Sequence, residues 1–242
     1  DVCSSDLTEG SLPEVVAPVL SKLVQIEGQP ETGDYVEYVY FEGLTFSHTD
    51  WLLPEGEAGD HQAASIVPAA LYAEGAKRCR FSDCTIAHIG NYGIELGRGC
   101  QENEIVGCRV YDLGAGGIRI GEKTQRSPKR EQSFDNEVVD CEVFDGGNFF
   151  YQAIGLWLGQ TYENRIAHNH IHDFYYTGIS VGWTWGYGST LAGDNRIEYN
   201  HVHHIGGRSE EYRDERIGPG PILSDMGGIY TLGTQPGTTI QH

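Results

Sequence analysis

Residues Asn136-Glu-Val-Val-Asp-Cys141-Glu-Val-Phe-Asp145 contain two short runs in which apolar and polar side chains alternate, separated by an Asp-Cys corner. Alternation with a period of two is strand geometry, and a corner after three residues keeps each strand very short. The same word recurs along the chain. It reads Asn103-Glu-Ile-Val-Gly-Cys108-Arg-Val-Tyr-Asp112 before this stretch, and Asn164-Arg-Ile-Ala-His-Asn169-His-Ile-His-Asp173 and Asn195-Arg-Ile-Glu-Tyr-Asn200-His-Val-His-His204 after it. Cys79-Arg-Phe-Ser-Asp-Cys84-Thr-Ile-Ala-His88 is a further copy, and Phe41-Glu-Gly-Leu44-Thr-Phe-Ser-His48 a weaker one. The copies are spaced by roughly 24 to 33 residues, the range of stacked repeat architectures.

Each copy is completed by a glycine-bounded apolar strand: Gly93-Ile-Glu-Leu-Gly97, Gly117-Ile-Arg-Ile-Gly121, Gly155-Leu-Trp-Leu-Gly159, Gly178-Ile-Ser-Val-Gly182 and Gly228-Ile-Tyr-Thr-Leu-Gly233. A unit with two or three such strands cannot bury its own apolar positions, whereas stacked units share a continuous core with rungs about 4.8 Å apart. The expected fold is therefore all-β, a right-handed parallel β-helix of about seven rungs. Leu44, Cys84, Cys108, Cys141, Asn169 and Asn200 fall in one inward column. Asn103, Asn136, Asn164 and Asn195 fall in a second, at turns where their amides can bond from rung to rung. Glycine at the strand ends is expected to serve sharp corners. The core cysteines read as reduced, small buried hydrophobes rather than as disulfides or metal ligands.

The 242 residues carry 16 Lys+Arg against 35 Asp+Glu, a formal net charge of −19. That charge excludes a nucleic-acid binder driven by phosphate neutralisation and disfavours an anionic membrane surface. No apolar run is long enough to span a bilayer. Thirty-three glycines accompany four Trp, fourteen Tyr and eight Phe, so the chain is globular with a recurrent demand for Gly. Residues 1–10 stand apart from the helix domain at 11–242. Asp1-Val-Cys3-Ser-Ser-Asp-Leu7 lacks the basic and apolar regions of a signal peptide and resembles the translation of a sequencing-library adapter, so Cys3 is set aside. The solenoid is expected to be truncated at both ends.

Function must then come from the rung surface and from the long departures at 49–68, 125–132 and 208–223. Asp225 stands three residues before the last glycine-led strand, where the earlier copies have Gly90, Gly114, Gln152 and Tyr175. The carboxylate thus belongs to this rung rather than to the repeat, although Asp beside Gly-Gly is also ordinary turn chemistry. Tyr175, Tyr176, Trp183, Trp185 and Tyr230 form an aromatic group around the neighbouring rung, extended by Trp157. Flat aromatic faces suit sugar rings, and loop aromatics packed over a rung edge are the plainer alternative. The register stacks His170 over His201 and His172 over His203 on an outward face, an arrangement able to hold a divalent metal. No acidic or cysteine ligand with recognised zinc spacing joins them, so no metal or cofactor is assigned, and His172 and His203 stand as substrate contacts. His48, His88, Asp112, Asp145, Asp173 and His204 share one repeat phase and read as turn residues. Nucleotide-binding loops, nucleophile elbows and HExxH are absent.

Three blocks carry a resemblance: Tyr38–Trp51, Ile171–Trp183 and Leu223–Gly233. They resemble secreted bacterial right-handed β-helix proteins related to glycoside hydrolase family 141. The likeness spans roughly residues 12–242 and is generic in the rungs between the three blocks. It implies a polysaccharide substrate, xylan or fucosylated pectin side chains, cleaved by two aspartates on neighbouring rungs. Asp225 matches the first, and the second is expected beyond His242. The resemblance also implies a secreted, periplasmic or cell-surface protein, and a monomer is expected. Two alternatives stay open on the same fold. One is a polysaccharide lyase or epimerase, with Arg208, Arg213 and Arg216 as cationic candidates. The other is a non-catalytic glycan-binding β-helix.

Overall fold

A computed structural model describes residues 15–59, 61–207, 209, 221 and 223–242. Within these residues almost all regular structure is strand, interrupted by two short 3-10 turns at Gln62–Ala64 and Lys129–Glu131. Twenty of the described strands line up as three parallel sheets that run the length of a coil, and Val36–Glu37 with Ala76–Lys77 and Ser133–Phe134 with Thr161–Tyr162 form two short parallel pairs at a corner. The first sheet holds Val24–Glu27, Ala69–Glu74, Tyr92–Leu96, Ile118–Ile120, Leu156–Leu158, Ile179–Val181 and Ile229–Thr231. The second runs from Tyr40–Glu42 to Thr239–Gln241, also in seven strands, and the third runs from Thr45–Thr49 to His201–Ile205 in six. This is the parallel β-helix expected from the repeat, with seven strands in its two longest sheets.

The register follows the sequence word closely. Ile105 pairs with Phe81 and Val138, and Val110 pairs with Ile86 and Val143. All six side chains point inward and are buried. The corners repeat as well. His48, His88, Asp112, Asp145, Asp173 and His204 all adopt positive φ, from 48° to 67°, as do Asp83, Asp140, His168 and Tyr199 between the second and third sheets. The first set shares a left-handed backbone bend at the fourth residue of each third-sheet strand rather than a turn between strands, in a backbone region where Asp and His are enriched.

The asparagine column forms as expected. Asn136 Oδ1 accepts the Nδ2 of Asn103 at 2.9 Å, and Asn195 Oδ1 accepts the Nδ2 of Asn164 at 2.8 Å. In the other column the thiols of Cys84, Cys108 and Cys141 donate to the carbonyls of Phe41, Phe81 and Ile105 one rung back. Where the sequence changes to Asn169 and Asn200, the amides donate to the equivalent carbonyls, Val138 and Ile166. All five described cysteines are free and buried, and Cys3 lies outside the described residues. Leu44 departs from expectation: it is 46% exposed, on the first described rung of the second and third sheets, with no described strand stacked beneath it.

The glycines that lead the first sheet have a different cause from the one expected. Gly93, Gly117, Gly155 and Gly178 are not in the positive-φ region. A Cβ on Gly155 would lie 2.6 Å from Ile171 Cγ2 and 2.8 Å from the carbonyl oxygen of Gly178. The branched inward residue of the third sheet occupies the space that a side chain would need, so close approach rather than corner flexibility fixes glycine here. Gly155→Ala is expected to cost about 1–3 kcal/mol, as overpacking does, seen as a lower melting temperature with unchanged far-ultraviolet circular dichroism.

Candidate functional site

The outward residues of the first sheet run Tyr72, Glu95, Arg119, Trp157, Ser180 and Tyr230 in register. The middle of this row is covered rather than open: Arg119, Trp157 and Ser180 are 6%, 3% and 3% exposed. The cover is the segment before Ala69. Tyr92 donates its hydroxyl hydrogen to the carbonyl of Ala63 and accepts from Ile154 N, and Ala63 packs with Ile154, Trp157 and Tyr176. Arg119 is paired with Glu95 beneath it and lies 4.5 Å from the centre of the Tyr92 ring. The insertion at 49–68, one of the departures expected to carry function, closes over the centre of the sheet.

The row ends at its last rungs in an aromatic corner. Trp157 meets Trp183 edge-on at 5.2 Å between ring centres, and Trp183 meets Trp185 at 5.0 Å. Exposure rises along this run, from buried Trp157 through half-buried Trp183 to Trp185 at 59%. Gln160, buried and missed by sequence reasoning, anchors the loop. Its Nε2 donates to Trp183 O and Thr184 Oγ1, and its Oε1 accepts from Leu191 N at 3.0 Å. Its place one residue past a repeat glycine was the available signal.

Asp225 sits in the turn before Ile229–Thr231 with φ 57°, exposed to solvent. The Tyr176 hydroxyl donates to its main-chain carbonyl at 2.8 Å, and Gln62 Nε2 approaches the same hydroxyl at 3.4 Å. Burial raises the Tyr176 pKa, and the nearby Tyr230 and Asp225 raise it further. The Tyr176 hydroxyl thus ties the Asp225 turn to the rung, and Trp183, Leu223 and Met226 pack on the cluster that holds Tyr176.

Two aromatics do not form the outward platform expected of them. Tyr175 is 1% exposed and meets Tyr151 edge-on, and Tyr176 is 5% exposed with only its hydroxyl directed at the Asp225 turn. Tyr176 is packed with Ala63, Ile154 and Trp157 beneath the covering segment, and Tyr175 is buried against Tyr151, so neither ring faces solvent. His172 and His203 project from the third sheet, the next face round the coil. Arg208, Arg213 and Arg216 lie outside the described residues.

On the third sheet Tyr111, Phe144, His172 and His203 stack in one column with near-parallel rings about 5.0 Å apart, and His170 stacks on His201 beside them. An acidic residue does join these histidines, from the preceding rung: Glu142 pairs with His170 in register. Burial opposes ionisation of Glu142 and of Asp173, but Arg109 for the first and His172 for the second hold both carboxyls below their ordinary values. Burial, then neighbouring imidazoles, push His170 and His203 below the usual histidine value.

A concavity of about 600 Å³ lies on the second sheet, lined by Tyr40, Arg78, Arg80, Glu102, Glu104 and Glu137. Its charges pair across rungs, Arg78 with Glu102 at 2.8 Å and Arg80 with Glu104 at 3.4 Å, which makes it a structural ladder.

Against known families, residues 67–240 match the model for the right-handed β-helix region. The chain belongs to that family. Among solved structures it is similar to one described as a glycoside hydrolase, with a TM-score of 0.76 and 22% identity. That match covers 93% of this chain and 41% of the other, so the chain spans about two fifths of its length. Two further structures align with TM-scores of 0.47 and 0.41: a XylC complex with xylose (14% identity, 71% of this chain and 30% of the other) and the pectate lyase Pel9A (12% identity, 92% and 67%). No curated protein matches the sequence. Right-handed β-helices share this coil across different chemistries, so the family establishes the fold and leaves the reaction to the site. No helix among the described residues is long and apolar enough to cross a membrane.

Proposed function

We propose that the chain contributes to a secreted carbohydrate-active enzyme, a glycoside hydrolase that cleaves xylan or fucosylated pectin side chains, with Asp225 as one of its two carboxylates. The observation that carries this reading is the position of Asp225. It is an exposed carboxylate found on one rung only, beside Tyr230 and the Tyr176 hydroxyl, at the end of the row from which Trp157, Trp183 and Trp185 emerge. Glycosidic cleavage needs one carboxyl to protonate the leaving oxygen and another to act as nucleophile or as base for water. Stacking aromatics beside such a group hold the sugar plane while its hydroxyls meet polar neighbours. The resemblance implies that the second carboxylate is an aspartate on a neighbouring rung.

The lyase alternative needs a cation to stabilise charge developing on a uronate. On the described outward row of the first sheet the one cation, Arg119, is buried and committed to Glu95. The deciding experiment assays reducing-sugar release from xylan and pectin side-chain substrates by this chain and by a version extended through the following rungs. Release that depends on Asp225, with no product absorbing in the ultraviolet, supports the hydrolase. An unsaturated, ultraviolet-absorbing product, or glycan binding without release, overturns it. Trp185→Ala is expected to weaken oligosaccharide binding about fivefold, equivalent to about 1 kcal/mol of stacking, with no change in melting temperature because the ring is already exposed. Isothermal titration with xylo-oligosaccharides measures both wild type and variant.

A further inference from the structure

The outward face of the third sheet brings together three metal-ligating atoms on two neighbouring rungs. His170 and His172 alternate along one strand and so share a face, and Glu142 lies in register on the strand before it. Glu142 Oε1 is 3.6 Å from His170 Nδ1 and 3.8 Å from His172 Nε2, and the ligand atoms of the three residues all lie within 4.8 Å of one another. A tetrahedral zinc ion with bonds of about 2.0–2.1 Å needs donor pairs roughly 3.3 Å apart, within a few tenths of an ångström of the two measured separations.

The surroundings orient each donor. Asp173, buried and at positive φ, folds its carboxylate back onto His172, with Oδ2 2.6 Å from Nδ1. The Nδ1–H must point to this acceptor, so the neutral ring keeps its lone pair on Nε2, on the side facing Glu142. Ser209 N donates to the other oxygen of Asp173 at 2.5 Å and fixes the carboxylate. This carboxylate–imidazole pairing is the arrangement that orients metal-binding histidines. His170 Nε2 lies 2.7 Å from His203 Nε2; when it donates to that nitrogen, the His170 lone pair sits on Nδ1, again toward Glu142. Arg109 holds Glu142 Oε2 at 2.8 Å and leaves Oε1 turned to the histidines.

We propose that Glu142 Oε1, His170 Nδ1 and His172 Nε2 bind one divalent transition-metal ion of the zinc type, clamping two rungs outside the first-sheet face. Two imidazoles and one carboxylate suit zinc, copper or nickel; calcium and magnesium favour all-oxygen shells. The position gives the clamp a structural role, and its signature is metal-dependent stability.

The test uses tag-free, chelator-treated protein and titrates it calorimetrically with zinc chloride at pH 7.5, with magnesium chloride as the comparison. The expected result is one saturable zinc equivalent, no magnesium uptake, and a higher melting temperature with zinc. His170→Gln and Glu142→Gln should each weaken zinc binding at least about tenfold, and Asp173→Asn about 10–100-fold through loss of ring orientation. His88→Gln, on the same face but outside the trio, should bind as wild type. Glu142 is only partly buried, so its variant keeps the test valid if a change at buried His172 prevents folding. Absence of saturable zinc binding overturns the proposal, as does affinity unchanged in Glu142→Gln. Loss of binding on His201→Gln or His203→Gln with Glu142→Gln unaffected would place the ion on the neighbouring imidazoles and overturn this ligand set.

Discussion

Asp225→Asn is expected to lower sugar release by about 10²–10⁴-fold, the range contributed by a positioned acid or base, while oligosaccharide affinity and melting temperature stay at wild-type values. The structure explains why the effects should separate. Asp225 is exposed, and the bond that ties its turn to the rung runs from the Tyr176 hydroxyl to a main-chain carbonyl. Asparagine keeps that carbonyl, tolerates positive φ and has nearly the same volume, so only the carboxylate is lost. The assay is initial-rate release by the extended protein, paired with calorimetric titration of a non-cleaved oligosaccharide. A loss below threefold would mean that Asp225 is turn chemistry and that the catalytic groups lie elsewhere. Parallel loss of affinity and activity would instead mark it as a binding residue.

The largest expected effect on stability falls in the asparagine column. Asn164 is fully buried. Its Oδ1 accepts from the main chain of Asn136 at 3.1 Å, and its Nδ2 donates to Thr161 Oγ1 at 2.9 Å and to Asn195 Oδ1 at 2.8 Å. Asn164→Ala strands the buried main-chain donor of Asn136 and removes two donations by Nδ2, while Thr161 Oγ1 keeps its bond to Ser133 O and Asn195 Oδ1 keeps the one from the main chain of residue 164. The stranded donor costs about 1–3 kcal/mol and each of the two lost Nδ2 bonds about 0.5–1.5 kcal/mol, so the sum is expected to lie at about 2–6 kcal/mol. That is a large share of the 5–15 kcal/mol typical of a folded domain. Equilibrium urea unfolding should show it as a lower midpoint. Asn200→Ala, at a half-buried rung near the end of the described coil, should cost less. Equal and small losses would indicate that water replaces the amides and that the column adds little.

The coil was legible because its determinants are periodic. The Asn and Cys columns, the alternating strands and the polar turn residues each recur, and the physical demand is the same at every rung. Legibility failed where a rung is not equivalent to its neighbours. Leu44 occupies a core phase but has no described rung beneath it. Tyr175 and Tyr176 follow a strand whose alternation stops at Phe174, so period two no longer states which way a ring points. The glycine column showed what was needed without the reason, since the crowding comes from Ile171 and the Gly178 carbonyl on other strands. Glu142 escaped a search for metal spacing because neighbours in a solenoid are a whole rung apart in sequence; His170 follows it by 28 residues. The candidate site was legible as composition, Asp225 and a cluster of aromatics. Its shape was not, because the 49–68 insertion folds back over a face that the repeat leaves open.

The link between the second and third sheets is always two residues, from Asp83-Cys84 through Tyr199-Asn200. All variation in rung length is therefore channelled to the other two corners, and both flank the first sheet. Loops can lengthen, shorten or be exchanged there without disturbing the column of thiols and amides. Those same loops frame the Asp225 and tryptophan corner, so substrate selectivity in such a coil can diverge quickly while its scaffold stays under a separate, slower constraint.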